Sequence, residues 1–410
     1  MRKPCSAVFA GMLALTACAL QPPKAVPPPS PLVDGNDARL LIDGPAFKRA
    51  VFDAITRARD HVNLETYILE GGPVGAELAA LLEGKRAEGI DIRVLYDSHG
   101  SSKTPQAYFE RLRRAGVAVC EFNPLNPLKA GLTWRVNNRD HRKILVVDGR
   151  LAITGGMNIS NVYASSSSGS GESRSREEGW RDTSVLVVGP IVARFQRLFL
   201  AAWREQDCPA SAPAAAPPEY FPQPARRGDK TMRLLAADPA AGESEMYAAL
   251  ISAVGHARRR VWLTFAYFVP DARIAQTLCD AARRGVDVRL VLPGFSDSWA
   301  PFYAGRAHYS ELLDAGVRIY EHRDALLHAK TAVIDGVWSS VGSTNLDWRS
   351  LVHNYEADLV VLDDAFGAAM EDQFRSDLAA SVEVAPQVWR ERGIAERIKE
   401  LIAGSIERLL

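Results

Sequence analysis

Apolar residues recur along this chain in two alternating patterns from about residue 38 onward. Helical spacing predicts helices from Phe47 to Ala58 and from Ala76 to Glu88, while apolar runs predict strands from His61 to Ile68 and over IDIRVLYD. Gly89 ends the second helix, because glycine accepts the left-handed backbone of a helix C-terminus. The first half of the chain is therefore predicted to alternate helices and strands.

The second half repeats this order. Helices are predicted from Met246 to Ala257 and from Arg273 to Arg284, and strands from Arg260 to Phe268 and over VDVRLVLP, which resembles IDIRVLYD in the first half. The fold class is therefore α/β. We expect two duplicated α/β/α sandwich domains related by a pseudo-twofold axis, with the active site between them.

Composition marks the boundaries between these parts. Residues 208–228 are rich in Pro and Ala and predict a linker, and residues 164–179 are rich in Ser and Gly and predict a mobile loop. The first domain then covers 36–207 and the second 229–410. The second domain ends in an amphipathic helix from Trp389, whose apolar face we expect to pack on the core.

The N-terminal segment has the pattern of an export signal. Basic residues precede an apolar run that is too short to span a bilayer and that ends in LTAC. This ending resembles the lipobox of bacterial lipoproteins, which implies a signal peptide over 1–17 and a lipid on Cys18; an ordinary cleaved signal is the alternative. Residues 18–35 then form a Pro-rich tether. The expected location is the periplasm-facing cell envelope, with the outer membrane slightly favoured over the inner because Ala19 follows the cysteine.

Charge and cysteine content narrow the class of protein. The chain of 410 residues carries 49 basic and 49 acidic residues, and this balance disfavours nucleic-acid binding, which needs a basic surplus. Cys120, Cys208 and Cys279 are far apart in sequence, and we interpret them as isolated small core or surface residues rather than a disulfide framework.

One motif occurs twice. HRKILVVDGRLAITGGMN begins at His141, and HAKTAVIDGVWSSVGSTN begins at His328. In each copy two apolar runs flank an Asp-Gly pair, which is the strongest short signal for a β-hairpin. A two-residue turn at Asp-Gly would place His141 opposite Gly156 and His328 opposite Ser343.

Each hairpin is predicted to gather polar side chains on one face, because residues two apart in a strand point the same way. The two resulting patches would contain His141, Lys143, Gly156 and Asn158 in the first half, and His328, Lys330, Ser343 and Asn345 in the second. Asp148 and Asp335 lie at the turns, away from these patches, so their position favours a structural role.

Such patches, brought together, would suit a phosphodiester. Two ammonium groups can neutralise the phosphoryl oxygens, while amide and hydroxyl groups hold them. One imidazole can attack phosphorus and the other can protonate the leaving alkoxide, since histidine titrates near neutral pH. Neither a metal nor a cofactor is expected, because the chain has no His-Glu-x-x-His and no acidic cluster.

Two carboxylates occupy matching places after the motifs. Asp182 lies in WRDTSVLVVGP and Glu356 in NYEADLVVLD, and the two stretches align once the Ser-rich insertion is set aside. We predict that each carboxylate orients a catalytic histidine by binding its far nitrogen. The alternative is a solvated acid at the edge of a strand.

Both motifs and their flanks resemble the paired motifs of the phospholipase D superfamily and, within it, the bacterial cardiolipin synthases. The resemblance rests on NNRDHRKILVVDG, GGMNIS and GSTNLDWRSLVHNYEADL, and it covers about residue 36 to 400. It implies the phospholipase D fold and a metal-free, two-step transfer through a phosphohistidine. The implied reaction joins two phosphatidylglycerols into cardiolipin and releases glycerol.

The resemblance also implies a role for each motif residue. His141 would be the nucleophile, and His328 the acid and then the base. The implied catalytic set is His141, Lys143, Asp148, His328, Lys330 and Asp335, in which the two Asp complete the motifs. The implied phosphate-binding set is Asn158, Ser343, Asn345 and Gly156, the last standing where the other half has Ser.

Other functions stay open at this point. A phospholipase D that hydrolyses lipid to phosphatidic acid is the main alternative, followed by a nucleic-acid phosphodiesterase and by a non-enzymatic lipid-binding lipoprotein. The expected partners are a phospholipid substrate and a membrane surface, with no nucleic acid. Both motifs lie in one chain, which favours a monomer.

Overall fold

The computed structural model describes residues 30–130, 135–167, 179–210, 218–239 and 244–407. The predicted signal peptide and the predicted lipidation site at Cys18 lie outside these ranges. So do most of the tether and of the Ser-rich segment, and the middle of the linker.

One continuous β-sheet runs through both halves of the chain. The strands of the first half are β1 (Val33–Ile42), β2 (His61–Thr66), β3 (Asp91–Asp97), β4 (Ala118–Phe122), β5 (Arg139–Asp140), β6 (Ile144–Val147), β7 (Leu151–Gly155) and β8 (Thr183–Val188). Those of the second half are β9 (Lys230–Ala237), β10 (Arg260–Phe265), β11 (Asp287–Pro293), β12 (Arg318–His322), β13 (Lys330–Ile334), β14 (Trp338–Gly342), β15 (Asn354–Leu362) and β16 (Ser381–Glu383).

The strand order is equivalent in both halves, except that β16 extends the second half. Outward from the centre, the first half runs β1-β8-β7-β6-β2-β3-β4 and the second runs β9-β15-β14-β13-β10-β11-β12-β16. The two halves meet where β1 pairs with β9 in antiparallel orientation. The α/β fold with two sandwich domains, predicted from the sequence, is confirmed.

Helices cover both faces of the sheet. In the first half they are α1 (Asp43–Thr56), α2 (Pro73–Ala87), α3 (Gln106–Arg114), α4 (Pro127–Ala130) and α5 (Val192–Glu205). In the second half they are α6 (Glu245–His256), α7 (Ala272–Arg283), α8 (Trp299–Ala307), α9 (Tyr309–Asp314), α10 (Trp348–Val352), α11 (Asp364–Ala379), α12 (Pro386–Arg390) and α13 (Ile394–Ser405). Within the residues described, no helix combines the length and the apolar character that crossing a bilayer requires.

The hydrophobic core fixes the position of the two halves relative to each other. Helices α1, α2 and α3 bury their apolar faces on one side of the first half, and α6, α7 and α9 do the same in the second. A third cluster contains α5, α11 and strands of both halves, including Val185, Phe195, Leu359 and Phe374. This shared core, together with the β1–β9 pair, brings the two motifs to one place.

Both predicted hairpins form, but their predicted register is wrong by one residue. Three residues, not two, separate the paired strand ends, as where Val147 pairs with Leu151. The Asp and Gly of each turn have positive φ, and the third loop residue shifts the pairing of the two strands by one position. The predicted pairing of each motif histidine with Gly156 or Ser343 is therefore also wrong.

The interpretation of the cysteines was wrong for two of them. Cys120 in β4 and Cys208 after α5 form a disulfide, with their Cα atoms 5.4 Å apart. The sequence separation of 88 hid this pair, because only the packing of α5 against the sheet brings the residues together. Cys279 is buried and free, as expected.

The expected packing of the C-terminal segment on the core is correct for Trp389, which is buried in the second core, and wrong for the last helix, α13. Its large apolar residues Ile394, Ile398, Leu401 and Ile402 are exposed, whereas Glu400 is buried. Helix α13 therefore contacts the protein through Glu400 and through the small Ala403, which clusters with Val269 and Ala304.

Candidate active site

The two motif histidines are held by backbone contacts between the halves. The amide of His141 donates to the carbonyl of Tyr355 at 2.9 Å, and that of His328 donates to the carbonyl of Arg181 at 2.8 Å. β5, directly before His141, pairs in parallel with the start of β15. The backbone of each histidine is thus hydrogen-bonded to the opposite half.

Each imidazole also binds a carboxylate from the opposite half. Nδ1 of His141 lies 3.0 Å from both Oε1 and Oε2 of Glu356. Nδ1 of His328 lies 2.8 Å from Oδ2 of Asp182. Because Nδ1 of each ring is occupied in this way, Nε2 is the nitrogen left for chemistry. Each of these two histidine–carboxylate pairs is therefore formed by residues from both halves.

The two carboxylates occupy equivalent positions in the sheet. Gly155 in β7 pairs with Ser184 in β8, and Gly342 in β14 pairs with Asp358 in β15, so each acid lies two residues before the paired position. This register agrees with the sequence alignment of Asp182 with Glu356 across the Ser-rich insertion.

The sheet register also explains the glycine of the first motif. A Cβ added to Gly156 would lie 2.2 Å from Oδ1 of Asp182, so a larger residue would displace the carboxylate. In the second half the matching residue is Ser343, whose Oγ accepts from the amide of Ala357 at 3.0 Å. The hydroxyl of Ser343 is therefore bound to the neighbouring strand.

The two motif lysines are almost fully buried near the histidines. Nζ of Lys143 donates to the carbonyl of His141 at 2.5 Å, and Nζ of Lys330 donates to the carbonyl of His328. Nζ of Lys330 also lies 3.1 Å from Nε2 of His328. Burial lowers the pKa of Lys143 to about 7 and the pKa of Lys330 to about 8. The repulsion from Lys330 contributes to the lower pKa of Lys143.

Burial and charge also set the protonation of the histidine–carboxylate pairs. Burial, reinforced by the two lysines, lowers the pKa of His141 well below its ordinary value. Burial raises the pKa of its partner Glu356 to about 7. At Asp182 burial acts to raise the pKa, but the charge and hydrogen bond of His328 and the charge of Lys330 hold it below the ordinary value. The site therefore contains two buried amines whose charged form an anionic ligand would stabilise.

Of the two predicted asparagines, only one has a hydrogen-bonded side-chain oxygen in the part of the chain described. Oδ1 of Asn158 accepts from the amide of Ile68 at 3.0 Å. Oδ1 of Asn345 is buried and has no hydrogen-bond partner among the described residues. Both side chains follow the motif strands and are buried at the site.

Comparison with known proteins fits this geometry. A family described as "Cardiolipin synthase, PLD-like domain" matches residues 51–199 and 250–378. The chain belongs to this family. Cardiolipin synthase 2 of Bacillus cereus is 34% identical over 368 residues, covering 89% of this chain and 69% of that protein. Cardiolipin synthase A of Pseudomonas fluorescens is 35% identical over 382 residues, covering 93% and 76%. The chain is thus a cardiolipin synthase-like phosphatidyltransferase of the phospholipase D superfamily.

The fold has its counterpart among solved structures. The phosphatidylserine synthase of Haemophilus influenzae superimposes with a TM-score of 0.64 at 14% identity, over 91% of this chain and 95% of that one. The polyphosphate kinase of Porphyromonas gingivalis gives 0.51 at 15% identity, over 83% and 50%. These likenesses concern the fold alone.

In this cardiolipin synthase-like chain, the two motif aspartates do not join the catalytic cluster, and counting them as catalytic needs correction. The carboxylate of Asp148 accepts from three consecutive amides, including that of His61 at 3.0 Å. Asp335 likewise accepts from three amides, of Arg258, Arg259 and Arg260, at 2.8–2.9 Å. Each carboxylate therefore ties its hairpin turn to the start of a neighbouring strand, at the end of the motif strand remote from the histidine.

Two tyrosines in the site were not predicted from the sequence. The hydroxyl of Tyr163 lies 3.1 Å from Oδ2 of Asp182 and 3.0 Å from Nδ1 of His328. The ring of Tyr67 meets the ring of His141 edge to face, with centroids 4.9 Å apart. The sequence did contain a signal for Tyr67. It lies near the end of a predicted strand in ETYILEGG, and Tyr267 occupies the matching position in FAYFVPDA. Tyr163 precedes the Ser-rich insertion and had no counterpart to reveal it.

A buried arginine anchors the acid of the first half. Arg181 binds both carboxylate oxygens of Asp377 in α11, at 2.7 and 2.9 Å. Its Nη1 donates to the carbonyl of Asp182 at 2.6 Å. The position of Asp182 thus depends on α11, an element of the opposite half. This dependence could not be deduced from the motif alone.

Proposed function

We propose that this enzyme transfers a phosphatidyl group from one phosphatidylglycerol to the glycerol hydroxyl of another, forming cardiolipin and releasing glycerol. Two crossed histidine–carboxylate pairs beside two buried lysines carry this proposal. The names of the relatives, cardiolipin synthases, supply the substrate class.

In the proposed first step, Nε2 of His141 attacks phosphorus. The low pKa of His141 keeps its imidazole neutral and nucleophilic. The P–N bond forms as the bond from phosphorus to the glycerol oxygen breaks, and that oxygen takes a proton from Nε2 of His328. Burial and the charge of Lys330 lower the pKa of His328, so the imidazolium form that it needs as the acid depends on the ionised Asp182 at Nδ1 and on the charge of the bound lipid.

In the second step, the acceptor hydroxyl gives its proton to Nε2 of His328 and its oxygen attacks phosphorus. The P–N bond to His141 breaks and the histidine returns to its neutral form. Lys143 and Lys330 balance the phosphoryl charge throughout, because both are buried beside the two rings. A lipid hydroxyl in place of water at this step gives cardiolipin rather than phosphatidic acid.

The test is turnover of phosphatidylglycerol by the full chain in mixed micelles. Cardiolipin and glycerol should appear in equal amounts, and His141→Ala should abolish both. The matched control is His256→Ala, since His256 is on the outer helix α6 and its ring binds only the carbonyl of Ser252 among the described residues. Formation of phosphatidic acid without cardiolipin would show that the enzyme is a hydrolase and not a synthase. Full activity of His141→Ala would refute the shared-site mechanism.

We also propose that the chain works at the periplasmic side of the cell envelope, anchored by a lipid on Cys18 and with the outer membrane favoured. The lipobox-like LTAC supports this location. The Cys120–Cys208 disulfide adds support, because disulfides persist in oxidising compartments outside the cytoplasm. Globomycin treatment, which blocks lipoprotein signal cleavage, should cause a larger precursor to accumulate. No change in size on treatment would contradict the lipoprotein assignment.

A further inference from the structure

The C-terminal helix exposes its apolar face to solvent. Ile394, Ile398, Leu401 and Ile402 are 77%, 50%, 74% and 51% exposed, and their spacing places them along one side of α13. Val388 in α12 adds a fifth exposed apolar side chain. Exposed apolar residues of this size, grouped on one surface, mark a site of interaction with a protein or a membrane.

Polar contacts hold the helix in this orientation. Glu400 is buried and binds the guanidinium of Arg392, with the closest atoms 2.8 Å apart. Nζ of Lys399 donates to the hydroxyl of Tyr303 in α8 at 3.2 Å, and Glu407 binds His308 at 3.1 Å. Because these polar groups face the protein, rotating the apolar side inward would break the buried Glu400–Arg392 pair. The outward orientation is therefore built into the fold.

A cavity of about 480 Å³ lies beside this face, between α9, α12 and α13. Its walls include Arg390, Arg392 and Arg397 together with Trp389 and Leu401. Two of the three guanidinium groups are neutralised, Arg392 by Glu400 and Arg390 by Asp314.

Arg397 differs from the other two arginines. It donates to the carbonyl of Arg390 and makes no ion pair with a carboxylate among the described residues. The cavity consequently keeps one positive charge next to apolar side chains, which complements a phosphate group attached to acyl chains.

The apolar face is connected to the catalytic site through α8. Contacts between α8 and α13 keep the same order along both helices, from Tyr303 with Lys399 to His308 with Glu407, so the helices run in one direction. Trp299, at the start of α8, is 49% exposed. It follows Asp297, whose charge acts on the catalytic Lys330 and whose carboxylate binds Tyr267. Because the two helices are parallel, the start of α13 lies near the start of α8. The start of α8 is also the end that follows Asp297, next to the catalytic Lys330.

We propose that α12, α13 and the arginine-lined cavity form a docking surface for a bilayer that contains anionic phospholipid. The five apolar side chains enter the boundary between headgroups and acyl chains, and Arg397 binds a lipid phosphate. A second copy of the chain is a poorer occupant, because a stable dimer buries about 800 Å² per partner and this surface consists of helices of 5 and 12 residues. The surface is separate from the catalytic groups.

The experiment is photo-crosslinking of the full chain to vesicles that carry a diazirine on one acyl chain, with adducts mapped by mass spectrometry. Vesicles of phosphatidylcholine alone are compared with vesicles that also contain phosphatidylglycerol. Adducts are expected on peptides covering residues 388–402. The double variant Ile398→Ser/Leu401→Ser should reduce them about tenfold. Val337→Ser is the matched control and should leave the adduct yield unchanged, because Val337 is similarly exposed but lies in the hairpin turn between β13 and β14, outside α12 and α13.

A second variant tests the phosphate site. Phosphatidylglycerol should raise the adduct yield on these peptides about fivefold, and Arg397→Gln should remove that increase. Adducts confined to other regions, or an unchanged yield in the double variant, would overturn the docking surface. An equal yield on both vesicles would overturn the anionic-lipid site, and chain-to-chain adducts in place of lipid adducts would assign the face to a dimer. Crosslinking needs no turnover, so either failure would leave the proposed reaction intact.

Discussion

The buried lysines predict that anion binding to the site takes up protons. Lys143, with a pKa of about 7, is about one-tenth protonated at pH 8, and Lys330, with a pKa of about 8, is about half protonated. A bound anion favours the charged form of both groups and raises their pKa values. Protons must therefore enter the site together with the ligand above pH 7.

The size of the effect follows from the geometry. A unit negative charge about 4 Å from an ammonium group interacts by about 4 kcal/mol at an effective dielectric constant of about 20. That energy corresponds to a rise of about three in pKa, which leaves both lysines almost fully charged at pH 8. The two lysines are expected to contribute between one and two protons per ligand at pH 8. Their contribution should vanish below about pH 6, where both lysines already carry their charge in the free enzyme.

Calorimetric titration with inorganic sulfate measures this uptake. Sulfate does not titrate in this range, so the dependence of the binding enthalpy on the ionisation enthalpy of the buffer gives the proton number directly. Lys143→Gln should reduce the uptake at pH 8 by about nine-tenths of a proton, the share that this lysine contributes. Lys103→Gln, at an exposed lysine, is the control. Sulfate binding at pH 8 with no proton uptake would show that the lysines are already charged and that the argument from burial is wrong.

Three further predictions concern the supports of the site. Gly156→Ala should lower kcat at least about tenfold without unfolding the protein, because the added Cβ displaces Asp182; an unchanged kcat would refute this steric argument. Tyr163→Phe should lower kcat about fivefold to tenfold and leave KM nearly unchanged, since it removes one hydrogen bond to the Asp182 carboxylate; equal changes in kcat and KM would point to a substrate contact instead. Cys208→Ser should lower the free energy of unfolding by about 2–5 kcal/mol in denaturant titration, because it removes the disulfide with Cys120. If the disulfide is the cause, the fully reduced wild type should lose the same free energy of unfolding.

The sequence by itself determined the local elements and the chemical class of the site. Helices and strands follow from apolar spacing that acts over a few residues, and the hairpins follow from Asp-Gly pairs that accept positive φ. The doubled His-x-Lys motif needed only side-chain chemistry to indicate a phosphodiester. The matched positions of Asp182 and Glu356 were readable for the same reason, because equivalent strands keep equivalent spacing.

The tertiary structure alone decided which groups meet. His141 and Glu356 are 215 positions apart, and only the order of strands in the sheet joins them across the halves. The Cys120–Cys208 bond likewise depends on how α5 packs.

Helix α13 gives the clearest limit of the sequence argument. Its amphipathic pattern identifies two faces, but the pattern cannot say which one the protein buries. The Glu400–Arg392 pair and the contacts of Lys399 settle that choice against the usual preference for burying apolar residues. Local patterns fix local geometry, whereas the pairing of distant groups depends on the packing of the whole chain.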